Sequence, residues 1–170
     1  MRVSKNSLSP TIQMTSSGFT LIELMVTIAV LAIIVGIAAP SISSQLANQR
    51  VKSTVSTLEN ALKEAKVESV IRRQPLTLTL DSSNKLIKIQ HLVLDEKKII
   101  DEKKSTTIAS YKYNTKSTIK PDSSSTEFNP GKIASVTTYT ICDSNVAASP
   151  LKVEVSATAV ISTKSEGTCP

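Results

Sequence analysis

The sequence predicts an α+β chain in which one long N-terminal helix leads into a small antiparallel β domain packed on the helix's second half. Three observations carry this. Phe19 to Ala39 is an apolar run that holds a single charge, Glu23. After it, Val51, Val55, Leu58, Leu62 and Ala65 recur at spacings of four and three, which is one apolar stripe at helical period. Beyond Pro75 the period changes to two, as in Leu76-Thr77-Leu78-Thr79-Leu80. Aromatic content is only 3% and Ser and Thr are abundant, which fits a β-rich domain with a modest core.

Residues 1–18, MRVSKNSLSPTIQMTSSG, form a polar leader with two bases, Arg2 and Lys5, and no acid. Such a segment stays on the cytoplasmic side of a membrane. About 20 apolar residues cross a bilayer core as a helix, so 19–39 is read as the transmembrane half. An ordinary secretory signal would have a shorter apolar run followed by a small-residue cleavage site, whereas Pro40 directly follows Ala39. The helix is expected to continue to Ile71, roughly 80 Å in all at ~1.5 Å per residue. Gly36 and Pro40 are the places for a kink.

Pro75 closes the helix, and the β domain spans 72–170. Leu76–Leu80 and Leu86–Leu94 read as a hairpin around the turn residues 81–84. Asp95–Lys104 reads as a charged turn or edge, with Lys97-Lys98 and Lys103-Lys104 flanked by acids. Thr106–Tyr113 is a strand, Lys120–Ser125 a loop, and Lys132–Cys142 and Leu151–Ser162 the last two strands. Arg72-Arg73 sits where cations favour a helix C-terminus.

The segment Gly18-Phe19-Thr20-Leu21-Ile22-Glu23, placed before the apolar run, resembles the processing site of type IV pilins and type II secretion pseudopilins. The resemblance implies a pilin fold and cleavage after Gly18 by a prepilin peptidase. The peptidase would then N-methylate Phe19. It also implies insertion in the inner membrane as a single-pass protein with a periplasmic domain, then assembly with minor and major pilins through the N-terminal helices. Glu23 would be the assembly residue. The physics agrees, because a lone carboxylate central in a membrane helix costs about 2.5–3.5 kcal/mol and usually has a partner. The cationic amine of a neighbouring subunit's Phe19 would supply one. The bland alternative is that Glu23 lies near the helix end and reaches the headgroups.

A second resemblance rests on Phe128-Asn129-Pro130-Gly131-Lys132 and on a strand ending in Cys142-Asp143. These are similar to the GspH/FimT group of minor pilins and H-type pseudopilins, although the turn is shortened and Lys132 stands where that group often has Arg. The reading is a minor pilin that helps initiate or cap a type IV pilus, with twitching, adhesion and natural transformation as implied roles. The alternatives are an H-type pseudopilin of a type II secretion system and a DNA-binding competence pilin. Competence members of the group share a Gly-Arg-x-Arg stretch, and this tail reads Glu166-Gly167-Thr168-Cys169 instead. The net charge of +6 is mild and reads mainly as solubility.

In a periplasmic domain Cys142 and Cys169 read as a disulfide, worth about 3–4 kcal/mol on an entropic account. The alternative is two free buried thiols. His91 is the sole histidine and lies in phase with Ile87, Ile89 and Val93, so it reads as a partly buried strand residue. One His and two Cys do not supply an ordinary structural zinc site. Neither a catalytic residue nor a cofactor is expected.

Overall fold

The computed structural model describes residues 18–92 and 105–169, apart from the side chains of 38–40. The chain divides into two units between Ala39 and Pro40.

Helix α1 runs Leu21–Arg72. In its first stretch the large apolar side chains from Leu21 to Ile37 are half or more exposed. An apolar surface of that extent marks a membrane or protein contact. Among the described residues no single helix is long and apolar enough to cross a membrane, while the bent pair Leu21–Ile37 and Ser41–Arg72 has the length and composition for it. Leu21–Ile37 alone falls just short of the ~20 residues that span a bilayer core.

In the second unit the stripe Val51, Val55, Leu58, Leu62 and Ala65 is buried as its spacing requires, joined by Ala47 and Ala61. Leu58 and Leu62 are fully buried, and each contributes about 1.5–3 kcal/mol. Helix α1 ends in a left-handed cap. Arg73 has φ 54°, its N–H reaches Val70 O, and Gln74 N–H reaches Ser69 O. This pair of bonds is the Schellman pattern. Arg72 pairs with Glu68 one turn back.

The nine strands among the described residues are β1 Leu76–Asp81, β2 Leu86–His91, β3 Thr106–Lys112, β4 Ser117–Pro121, β5 Ser125–Asn129, β6 Ile133–Ala134, β7 Thr137–Asp143, β8 Leu151–Val155 and β9 Ile161–Lys164. They form two antiparallel sheets, ordered β3-β2-β1-β5-β6 and β4-β7-β8-β9. Leu76, Leu78, Ile87, Ile89 and Phe128 from the first sheet join Tyr139, Ile141, Val153 and Val155 from the second in one core with the helix stripe.

The β1–β2 hairpin forms where alternation placed it, with Leu78 opposite Ile89. His91 is the last residue of β2 and is half-buried. The charged segment Asp95–Lys104 lies outside the described residues. Three expectations change. Lys120–Ser125 is not simply a loop, because β4 reaches Pro121 and β5 begins at Ser125. Edge strand β4 tolerates Pro121 as its last residue, where a missing N–H costs nothing. Lys132–Cys142 is two strands in different sheets, β6 and β7. Leu151–Ser162 is interrupted by a tight turn in which Ala159 takes φ 54°. That turn is closed by Ser156 N–H on Val160 O and Ala159 N–H on Ser156 O.

Candidate processing and assembly site

The processing segment sits at the very start of α1. Gly18, Phe19 and Thr20 precede the first helical residue, and Phe19 is 80% exposed. A Cβ built on Gly18 meets nothing within 4 Å. Among the described residues nothing in the packing therefore demands glycine there. The same test leaves Gly36 free.

Thr20 is the residue that sequence reasoning passed over. Its Oγ1 accepts the Glu23 N–H at 3.3 Å, and its carbonyl accepts the Leu24 N–H at 3.1 Å. That makes Thr20 the N-cap and puts Glu23 in the first turn. The legible signal was Thr-x-x-Glu before an apolar run. Glu23 thus occupies the place where the helix dipole favours an anion, close to the bond before Phe19. The structure brings Gly18, Phe19, Thr20 and Glu23 together, and it places Gly36 and Pro40 further along α1.

The cysteine pair is a separate cluster in the second unit. Cys142 and Cys169 form a disulfide with Cα atoms 5.9 Å apart, across 27 positions of sequence. It ties the C-terminal tail to the end of β7. Gly167 in that tail has φ 132° and lies against Lys152 and Thr140. This is a conformation that side chains resist. Next to the disulfide, the Asp143 side chain is fully buried and receives Arg50 from α1. Arg50 Nε donates to Asp143 Oδ2 at 2.9 Å and Nη2 donates to Oδ1 at 2.8 Å. Asn145 N–H also donates to Oδ1 at 2.9 Å. The Arg50 bonds, more than any other cause, hold the Asp143 carboxyl below its ordinary pKa. A cleft of about 520 Å³ opens beside this cluster, between Lys120, Asn145 and Thr168.

Deeper in the core, burial pushes the Tyr139 phenol up to about 12. Its hydroxyl shares a hydrogen bond with Thr126, so the phenol is a satisfied core group. Among the described residues no group of three or more His, Cys, Asp or Glu is placed to hold a metal ion.

The family described as "Prokaryotic N-terminal methylation motif" matches residues 13–39. In fold the chain resembles the type IV minor pilin FimU of Pseudomonas aeruginosa in two crystal forms. One gives a TM-score of 0.54 at 16% identity, covering 68% of this chain and 89% of that one. The other gives 0.52 at 18% identity, covering 66% and 91%. The minor pseudopilin EpsH of the Vibrio cholerae type 2 secretion system overlaps at a TM-score of 0.49 and 10% identity, over 68% of this chain and 98% of that one. No curated protein matches the chain in sequence. The chain carries the prepilin methylation motif on a pilin-like fold.

Proposed function

We propose that this chain, a prepilin motif on a pilin-like fold, is a minor pilin that helps initiate or cap a type IV pilus. In this reading it is a structural subunit and the substrate of a prepilin peptidase. The peptidase cleaves after Gly18 and methylates Phe19, leaving a cationic amine just ahead of the Thr20 cap. The inner membrane covers Phe19–Ala39 before assembly, and the helices of other pilins cover it afterwards. Gly36 and Pro40 mark the junction of the two units, where a helix yields most easily.

One observation carries the reading. The segment Gly18-Phe19-Thr20-Leu21-Ile22-Glu23 directly precedes a helix whose large apolar side chains are exposed from Leu21 to Ile37. A carboxylate at the cap of an otherwise apolar helix gives packed helices an axial register. The amine of one subunit's Phe19 meets another's Glu23, and a slip along the axis leaves both charges unpaired in an apolar setting.

Mass spectrometry of the protein purified from peptidase-competent cells tests this. The expected N-terminus is methylated Phe19. A protein that still begins at Met1 in such cells would sink the reading. Recovery in sheared pili, and not only with secretion machinery, separates the pilus role from that of an H-type pseudopilin.

A further inference from the structure

We propose that the end of the β domain at which α1 enters is a contact surface for anionic phospholipid headgroups. The proposal rests on the membrane-anchor reading above. Several contacts define that end. Asn48 Oδ1 accepts the Ser149 N–H at 2.8 Å, Arg50 grips Asp143, and Lys116 O accepts the Ser144 N–H at 2.8 Å. The first residue of β4, Ser117, pairs with the last residue of β7, Asp143. The start of the domain helix, the start of β4 and the β7–β8 loop therefore share one end.

Two independent features meet there. The first is an apolar tip. Val146, at the head of the β7–β8 loop, is 98% exposed. The loop behind it is well bonded, with Asn145 N–H on Asp143 Oδ1, Ala147 N–H on Asn145 Oδ1 and Ala148 N–H on Asn145 O. A valine held out on a braced turn meets water at a cost unless something apolar covers it. On the helix, Ile42 and Leu46 are also more than half exposed. The second feature is charge. Lys52, Lys85, Lys116 and Lys120 form no ion pair among the described residues. Lys85 Nζ donates to Ser117 O at 3.1 Å, which ties it to this end. Lys120 lines the cleft beside Val146, and Lys52 lines one beside Ser149. Of the carboxylates near this end, Asp143 is satisfied by Arg50, and Glu166 lies between Ser165 and Gly167, which line the same two clefts.

An apolar tip with lysines at the same end of the domain matches the boundary of an anionic bilayer, where the tip enters the acyl edge and the amines meet phosphates. The apolar segment Leu21–Ile37 lies just upstream in the chain, which favours a bilayer over a nucleic acid as occupant. Such a contact would hold a newly processed subunit against the membrane until other subunits displace it.

The full chain, reconstituted in neutral phosphatidylcholine vesicles and in vesicles containing phosphatidylglycerol, provides the test. Amide exchange of residues 143–149 is read by mass spectrometry, and retention on the vesicles after an alkaline wash is read in parallel. The expected result is equal retention on both vesicles, with exchange several-fold slower on the anionic ones. The slowing should vanish in Val146→Asp, in Lys116→Gln/Lys120→Gln, and at about 0.5 M salt, where surface charges are screened within a few ångströms. Equal exchange on both vesicles overturns the proposal while leaving the anchor intact. Loss of the chain from both vesicles overturns the anchor reading, and this proposal with it. If duplex DNA added to neutral vesicles slows exchange as much as phosphatidylglycerol does, the surface serves nucleic acid and the lipid assignment falls. Circular dichroism of each variant confirms that the fold is kept.

Discussion

Arg50 and Asp143 lie 93 positions apart in sequence and meet through two hydrogen bonds, of 2.9 and 2.8 Å. The Asp143 side chain is fully buried at this contact. The pair fastens α1 to the end of β7 one residue from the disulfide, so three distant parts of the chain converge within a few side chains. It also gives the fold a pH dependence. Because the folded-state pKa of Asp143 is depressed, its contribution is complete above the unfolded carboxylate value of about 4. That contribution is lost as pH falls from there toward the folded value. Asp143→Asn should therefore lower Tm at pH 7, and its difference from the parent should shrink as pH drops below about 4. A gap that stays constant from pH 7 to pH 3 would mean that the carboxylate's charge contributes nothing.

The two roles at the start of α1 are separable. Thr20→Ala removes the acceptor for the Glu23 N–H and should weaken the helix start by about 1 kcal/mol. Glu23→Ala keeps that acceptor and removes only the carboxylate. The expected outcome for Glu23→Ala is normal membrane retention with incorporation into sheared filaments reduced to background. Thr20→Ala should be incorporated at a moderately lower level. Normal incorporation of Glu23→Ala would remove the register argument.

The cap at the other end of the helix invites an opposite test. Arg73 pays a steric cost at φ 54° that glycine does not. Arg73→Gly should stabilise the domain by about 0.5–1 kcal/mol in urea unfolding, net of the added freedom of the unfolded chain. Destabilisation would show that the Arg73 side chain makes a contact that outweighs backbone strain.

Thr54 is buried on the helix face, and its Oγ1 has no hydrogen-bond partner among the described residues. A valine has nearly the same shape without the hydroxyl. Thr54→Val should therefore raise stability by about 1 kcal/mol or more, by removing an unmet polar group. A loss of stability on chemical unfolding would point to a buried water that bonds the hydroxyl.

Local pattern made part of this fold legible. The stripe Val51 to Ala65 repeats a period that a helix buries, and it is buried throughout, while in the Leu76–Leu80 alternation Leu76 and Leu78 are buried, Leu80 is half-buried and Thr77 is buried as well. The strands that escaped notice are those whose sequence looks like loop. Pro121 hides the end of β4, and Ser125 and Thr126 open a strand by pairing with Thr79 and Leu78 of β1, with the Thr126 hydroxyl bonded to the buried Tyr139. The turn after Val155 has neither Gly nor Pro, so nothing local announced it. Within the candidate site, Gly18, Phe19 and Glu23 were readable because their spacing is short. Thr20 was equally readable as a cap. The Arg50–Asp143 clamp could not be read at all, since it depends on tertiary folding to bring residue 50 to residue 143.

The disulfide has a mechanical consequence. The contact from Arg50 of α1 to Asp143 and the covalent bond from Cys142 to Cys169 lie one residue apart at the end of β7. The C-terminal tail, the part of a chain that ordinarily peels away first, is thereby fastened covalently to a strand that α1 also grips. Rupture of hydrogen bonds alone cannot strip that tail from the end of β7, because the Cys142–Cys169 bond must be reduced first.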